Sequence, residues 1–388
     1  MSSCWVEVNL DAIRHNFRAV QELVGEATTV IAVVKANAYG HGAVEVSRAL
    51  VSAGARFLAV TRLEEALPLR EAGIQTPILL LAPALPDEAE DVVAHRLTAS
   101  VASADEARRL SLAAARQGVT ARVHLKVNTG MGRLGVEPGE AVEVATRLVQ
   151  LDNLELEGMF THFATAAERN PTLMDEQYGK FVPLMAHLGR VAGVPVNGFH
   201  CANSAALLRF PAMRLSCVRP GTILYGQFPS PVVAEVAAPH LKLRDGFRVK
   251  ARIIALKSLQ PGQTLGYGAE WKASQPSRIA TVAVGYADGL TQEPQARSDQ
   301  RELLRRSLGQ AAKSAAQWAG LKKGGVARTV LIKGQRAPII GRIAMQQCSI
   351  DVTHLKDVAV GDEVIVSMRR ISAGAHLPRV YTDDKSEA

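Results

Sequence analysis

Lys35 follows directly on an apolar, β-branched run from Thr29 to Val34 and precedes a short loop, Ala36-Asn37-Ala38-Tyr39, closed by Gly40 and Gly42. The run reads as a buried parallel strand, and the segment after Gly42 as an amphipathic helix. Lys35 therefore stands at the carboxyl end of a buried strand. Two readings are open there. The side chain snorkels to the surface, or it is held with its ammonium desolvated, which lowers its pKa and suits it to Schiff-base chemistry.

Other reactive side chains recur at equivalent places. Lys126 lies at the end of the run Ala121 to Val127, with Asn128 and Arg133 after it, and His162 follows the run ending at Phe160. Asn203-Ser204 and Arg219-Pro220-Gly221-Thr222 close the last two. Asn203-Ser204 suits a helix N-cap. Gly221-Thr222 offers amides beside a hydroxyl, a set suited to a phosphate group. A lysine at one strand end and a phosphate cradle at two others would together hold a phosphorylated aldehyde. His162 keeps a second reading, that of a hydrogen-bonded core histidine. A metal site built on His41, His162 and His200 would lack carboxylates at the neighbouring strand ends, and no metal is expected.

Such placement requires a particular scaffold. From Thr29 to about Gly221 strand-like runs alternate with helix-like ones, eight times in about 200 residues. The strand candidates begin near Thr29, Arg56, Thr76, Leu97, Ala121, Leu154, Val196 and Arg214. Alternation of this kind implies a parallel sheet covered by helices, and the length suits a (β/α)₈ barrel with its active site at the carboxyl ends of the strands. After Phe228-Pro229-Ser230-Pro231 the pattern changes to short β-like runs separated by Gly and Pro turns. The expected organisation is a barrel over residues 1–230 and a mostly β domain over 231–388.

Composition narrows the class. The chain has 388 residues, 47% hydrophobic and 21% charged, an ordinary globular balance. No apolar run approaches the ~20 residues of a membrane span. Cys4, Cys201, Cys217 and Cys348 show no C-x-x-C spacing, so neither zinc nor a disulfide framework is indicated, and a cytoplasmic location is the simplest. The net charge of +8 is concentrated: eight Lys/Arg against two acids between Ala296 and Arg328 supply +6 of it. That places the charge in a basic helical insertion at about 291–327, with helical spacing from Arg301 to Trp318, and argues against a nucleic-acid groove.

Several ordered blocks resemble the bacterial alanine racemases. They are Ala32 to Gly42, Val127-Asn128-Thr129-Gly130-Met131-Gly132-Arg133-Leu134-Gly135, Thr161-His162-Phe163-Ala164 and Arg219-Pro220-Gly221. In the second domain they are Leu265-Gly266-Tyr267-Gly268, Val284 to Gly289 and Gly341-Arg342-Ile343-Ala344-Met345. The resemblance implies a pyridoxal 5'-phosphate (PLP) enzyme with a barrel and a β domain, interconverting L- and D-alanine as a homodimer with shared sites and supplying D-alanine for peptidoglycan. Lys35 would carry the cofactor and act as one base, and Tyr267 of the other subunit would be the second. Arg219 would face the pyridine nitrogen with His162 near the ring, while Tyr39, Asn203, Ser204, Gly221 and Thr222 would surround the phosphate. Arg133 and Met345 would position the substrate carboxylate, Tyr286 would line the entrance, and Lys126 matches a lysine carbamylated in some members. Gln346 stands where the family usually has aspartate, and the helix and phosphate-binding tyrosine expected before the carboxyl end are missing. Those departures keep open a racemase of serine or another small amino acid, and a PLP-binding protein without catalysis.

Overall fold

The computed structural model describes residues 2–191, 198–290 and 329–383. The basic stretch 291–327 and its expected helix lie outside the described residues. The chain forms two compact units, one of residues 8–247 with those from Tyr381 onward, the other of the first seven residues with Arg248–Val380.

A first strand, β1 (Cys4–Asn9), leads into the helix Leu10–Val24, where the Asn9 side chain accepts the Ala12 N–H at 3.1 Å and caps the helix. Eight parallel strands follow: β2 (Thr29–Val33), β3 (Phe57–Val60), β4 (Ile78–Leu80), β5 (Ala99–Val101), β6 (Ala121–Lys126), β7 (Leu154–Phe160), β8 (Phe199–Asn203) and β9 (Cys217–Arg219). They run in the order β4-β3-β2-β9-β8-β7-β6-β5. The Leu80 N–H donates to Thr98 O and the Thr98 N–H to Ile78 O, both at 2.9 Å, so the two ends of that order join and the sheet closes. The expected barrel is what forms. Its strands are apolar because helices cover the outside and side chains fill the inside. Ile31, Val33, Ala59, Leu79 and Cys217 pack as one cluster in it.

The expected division at residue 231 is corrected by the structure. Pro231–Ala237 is a helix capped by Ser230, whose hydroxyl accepts the Val233 N–H at 3.3 Å, and it belongs to the barrel unit. Buried Asn16 ties the following segment to the first helix: it donates to Leu224 O at 3.1 Å and Arg244 O at 2.9 Å and accepts the Arg244 N–H at 2.8 Å. The Pro-rich stretch therefore starts a helix, and the unit continues to Phe247.

The second unit is antiparallel. Its strands are β10 (Phe247–Leu259), a small hairpin of β11 (Thr264–Leu265) and β12 (Trp271–Lys272), then β13 (Ser277–Val282), β14 (Thr329–Ile332), β15 (Gln335–Ile340), β16 (Cys348–Asp351), β17 (Glu363–Val366) and β18 (Arg379–Thr382). The main sheet runs β13-β16-β15-β14-β17-β10-β1-β18. Long β10 pairs β17 through Val249–Arg252 and β13 through Ile253–Leu259, with an irregularity between Ile253 and Ala255, so the sheet curls back on itself. Within residues 358–366 only Glu363–Val366 is a strand, paired with β10 and β14.

In the barrel, β7 and the start of β8 approach unusually closely. A Cβ on Gly158 would collide with Gly198 O, and one on Gly198 with Glu157 O. Gly198→Ala is expected to lower stability by about 1–3 kcal/mol, the usual cost of overpacking a filled core. A denaturant midpoint equal to that of the parent chain would show that the strands can move apart freely.

Candidate active site

The loop after β2 does not continue as ordinary backbone. Ala36, Asn37, Ala38 and Tyr39 are consecutively left-handed, with φ of +52° to +53°. A left-handed L-residue costs roughly 1–2 kcal/mol, so the turn persists only because its polar groups are held. Glu65 accepts the Ala36 N–H at 2.6 Å and the Thr61 N–H at 2.7 Å, and the Asn37 side chain accepts the Ala43 N–H at 2.7 Å. Tyr381 packs on the glycine that ends this loop, where a Cβ at Gly42 would collide with the phenol oxygen. Sequence periodicity gives no hint of the left-handed turn, of Glu65 as its brace or of Tyr381 beside it.

The turn places Tyr39 over Gly221, where a Cβ would strike the phenol oxygen. Glycine is required there by close approach. Burial pushes the Tyr39 phenol up to about 12, so it stays protonated and can donate. The Ser204 hydroxyl accepts the Gly221 N–H at 2.9 Å. Asn203 accepts the Ala205 and Ala206 N–H groups at 3.0 and 3.1 Å and caps the helix Ser204–Arg209, as expected from its type.

At the carboxyl ends of the strands these groups meet in a cavity of about 490 Å³, lined by Lys35, Tyr39, Lys126, Arg133, His162, Asn203, Ser204, Arg219, Gly221 and Thr222. That volume suits a small cofactor or ligand. Each of these residues is among those singled out from the sequence; Asn128, bonded to Glu137 and the Gly132 N–H, and His41, at Ala38 O, are not in the lining. Lys35 does not simply snorkel away: its pKa is lowered, chiefly by burial, with Arg133 and Arg219 adding to the shift and Glu65 opposing it.

Arg219 is 4% exposed and bonded only to neutral acceptors among the described residues. Its Nη2 donates to Thr161 O at 2.7 Å and Cys201 O at 3.3 Å and lies 3.4 Å from His162 Nδ1, while Nη1 donates to His200 Nδ1 at 2.5 Å. Phe160 presents its ring to the guanidinium at 5.1 Å and stacks on His200 at 4.8 Å. Burial lowers Arg219 to about 10, which leaves it charged near neutrality. Burial and then that cation push His162 down to about 3, so His162 is neutral. His200, considered in the sequence only as a metal ligand, is instead Arg219's partner.

Tyr267, Tyr286 and Met345 belong to the second unit and are all exposed, Tyr267 by 70%. The Tyr286 N–H donates to Ala344 O at 3.1 Å and the Ala287 N–H to Met345 O at 2.9 Å, so those two candidates are fixed beside each other. A Cβ on Gly285 would strike both carbonyls, which explains the glycine. Tyr267 begins a short turn in which Glu270 pairs with Arg342 at 2.7 Å. Gln346 is exposed.

Two domain-family models match the chain: "Alanine racemase, N-terminal domain" over residues 8–229, and "Alanine racemase, C-terminal domain" over 247–314 and 317–378. An alanine racemase of Desulforamulus reducens is 40% identical over 375 residues, covering 96% of this chain and 91% of its own length. One from Desulfovibrio desulfuricans is 40% identical over 362 residues, covering 93% and 88%. The solved alanine racemase of Clostridium difficile 630 superposes with a TM-score of 0.85 at 32% identity, covering 98% of this chain and 96% of its own.

The chain belongs to the alanine racemase family. It is by that membership an isomerase. The C-terminal match passes through most of 291–327 and skips only 315–316. Most of the basic stretch thus falls within the bounds of that match. Among the described residues no helix is long and apolar enough to cross a membrane.

Lys126 is the other unusual cation of this racemase-family site. It is 5% exposed, donates to Leu81 O at 2.7 Å and lies over the Phe160 ring at 4.9 Å. Burial, then Arg219, Arg133 and Lys35, lowers its pKa to about 7. Because this lies below the ordinary lysine value, the folded chain binds fewer protons there than the unfolded one. Its contribution to stability is therefore least favourable below pH 7 and improves as pH rises from there through the ordinary lysine range. NMR of ¹³C-methylated lysines should show one resonance titrating near pH 7, lost in Lys126→Gln and moved upward in Arg133→Ala. A resonance titrating with the bulk lysines would contradict the placement.

Proposed function

We propose that this protein interconverts L- and D-alanine with pyridoxal 5'-phosphate as its cofactor, working as a homodimer with shared sites in the cytoplasm and supplying D-alanine for peptidoglycan. The observation that carries the reading is the cavity itself: a desolvated lysine, a phenol and two hydroxyls at a glycine cradle, and a buried guanidinium converge at one end of the barrel. These donors fit the group. Tyr39, Ser204 and Thr222, with Asn203 and Gly221 shaping the backbone, would hold its phosphate. Lys35 would hold it covalently. Arg219, whose Nη atoms are engaged by Thr161, Cys201 and His200, has Nε left for the ring nitrogen, with His162 beside it.

When bound, PLP supplies the conjugated electron sink that makes the Cα–H of an amino acid acidic. The chain's residues do the rest. Lys35 Nζ, favoured as a free amine by its surroundings, moves the proton on one face of Cα. Tyr267 of the partner subunit moves it on the other, which accounts for a tyrosine exposed by 70% on a single chain. Arg133 and Met345 orient the substrate carboxylate and Tyr286 lines the way in. Lys126, near half neutral at pH 7, is set to add CO₂ at Nζ with loss of a proton, giving a carbamate anion among three cations. Neutral Gln346 in place of the family's usual aspartate favours a second reading within the same chemistry, that serine or another small amino acid is also a substrate.

Incubated with PLP in deuterated water, the protein should exchange the α-proton of L-alanine and yield the D-isomer, with L-serine run alongside. Lys35→Ala should abolish both, and Tyr267→Phe should slow racemisation by about 10²- to 10⁴-fold, the usual worth of a positioned acid or base. Mixing the two inactive variants under subunit exchange should restore roughly a quarter of the parent activity. Half of the dimers are then mixed, and each rebuilds one of its two sites. Cofactor uptake without exchange on either amino acid would overturn the racemase reading and leave PLP binding without catalysis.

A further inference from the structure

A hydrogen-bonded string continues from Arg219 down the inside of the barrel. His200 Nε2 lies 2.7 Å from His124 Nδ1 on β6, and His124 Nε2 lies 3.8 Å from Glu157 Oε2 on β7. Each ring is fixed from the side. Phe160 stacks on His200 within 9° of parallel, Phe57 meets His124 edge-on at 6.1 Å, and a Cβ on Gly158 would stand 2.9 Å from His124 Cε1. The Glu157 side chain is 25% exposed, with Thr98 Oγ1 at 3.4 Å and Arg122 Nε at 3.4 Å, so the string ends at solvent.

The first member dictates the direction of every bond below it. A guanidinium donates and cannot accept. His200 Nδ1 must therefore present its lone pair to Arg219, and the His200 proton is on Nε2. That proton is donated to His124 Nδ1, which puts the His124 proton on Nε2, facing the Glu157 carboxylate. An imidazolium at either ring would set two N–H groups against each other across a short contact. Both rings are neutral, and the string has one direction.

We propose that His124 and Glu157 are positioning residues for Arg219, the Glu157 carboxylate facing His124 Nε2 across 3.8 Å at the end of the string and so holding the His200 lone pair on the guanidinium. The consequence for the cofactor rests on the function proposed above, but the direction of the string does not. The separation matters for the test, because ¹⁵N NMR of the histidine-labelled, cofactor-free protein reads tautomers directly. Both rings should show a protonated Nε2 and a bare Nδ1. In Glu157→Gln, with the thermal midpoint essentially kept, the Nε2 protons of both His124 and His200 should move upfield, since loss of a charged acceptor weakens a polarised chain along its length. Glu155→Gln, a substitution of the exposed neighbour that also faces Arg122 at 3.6 Å, should move neither. On adding PLP, Glu157→Gln should shift the visible absorption band and lower kcat about tenfold with KM little changed, as loss of an orienting partner behind a reactive group does. A proton on Nδ1 of either ring, or an unmoved His200 proton in Glu157→Gln, would overturn the proposal whether or not the cofactor binds. Failure to take up PLP would instead overturn the proposed function.

Discussion

Arg219 sits nearly out of water at the end of β9, and every bond it makes among the described residues goes to a neutral acceptor. An isolated buried charge is costly unless its donors are satisfied. Here two carbonyls, an imidazole lone pair and an aromatic face do that without neutralising it. A carboxylate partner would lower the cost but cancel the field. Burial first, and then the charge that remains on Arg219 and Arg133, keeps His162 neutral, sets Lys126 near its midpoint at neutral pH and lowers the Lys35 pKa. Burial and the uncompensated cations of the site act in the same direction on every titratable nitrogen around Arg219.

Such a cavity is poised for an anion. Four basic side chains, Lys35, Lys126, Arg133 and Arg219, line about 490 Å³ together with phenol and hydroxyl donors. Their mutual repulsion destabilises the fold, and any phosphate or carboxylate that enters recovers part of that energy as binding. Strain and repulsion concentrated at a site, with regular barrel elsewhere, is the pattern in which function opposes stability.

Much of this was legible in the sequence, for a physical reason. The barrel strands are buried on both faces, so each is an apolar run, and the side chain just past the run is at the active end by construction. Lys35, Arg219 and the Asn203 cap were found that way. What escaped depends on contacts between distant segments. His124 and Glu157 lie inside strands, where polar residues in an apolar run carry no label, and His200 declares its role only when Arg219 lies beside it. The boundary at 231 was misplaced because Ser230-Pro231 signals a helix start as well as a linker, and only Asn16, far back in the chain, holds the following segment to the barrel.

The left-handed turn after Lys35 shows how those distant contacts work on the chemistry. Four non-glycine residues in that conformation would unwind if the turn were free. Glu65, from the helix Leu63–Glu71 after β3, grips its first N–H, Asn37 bonds forward to Ala43, and Tyr381 covers Gly42. Glu65 and Tyr381 come from outside the four residues and Asn37 bonds out of them to Ala43, so the strain is held by the surrounding structure. Relaxing the turn toward ordinary helix would swing Tyr39 off Gly221 and separate the phenol from the Ser204 hydroxyl that bonds the same glycine. The conformation that costs most locally is the one that aligns both donors. The closing strand β18, which contributes Tyr381, thereby acts on the cradle without entering it.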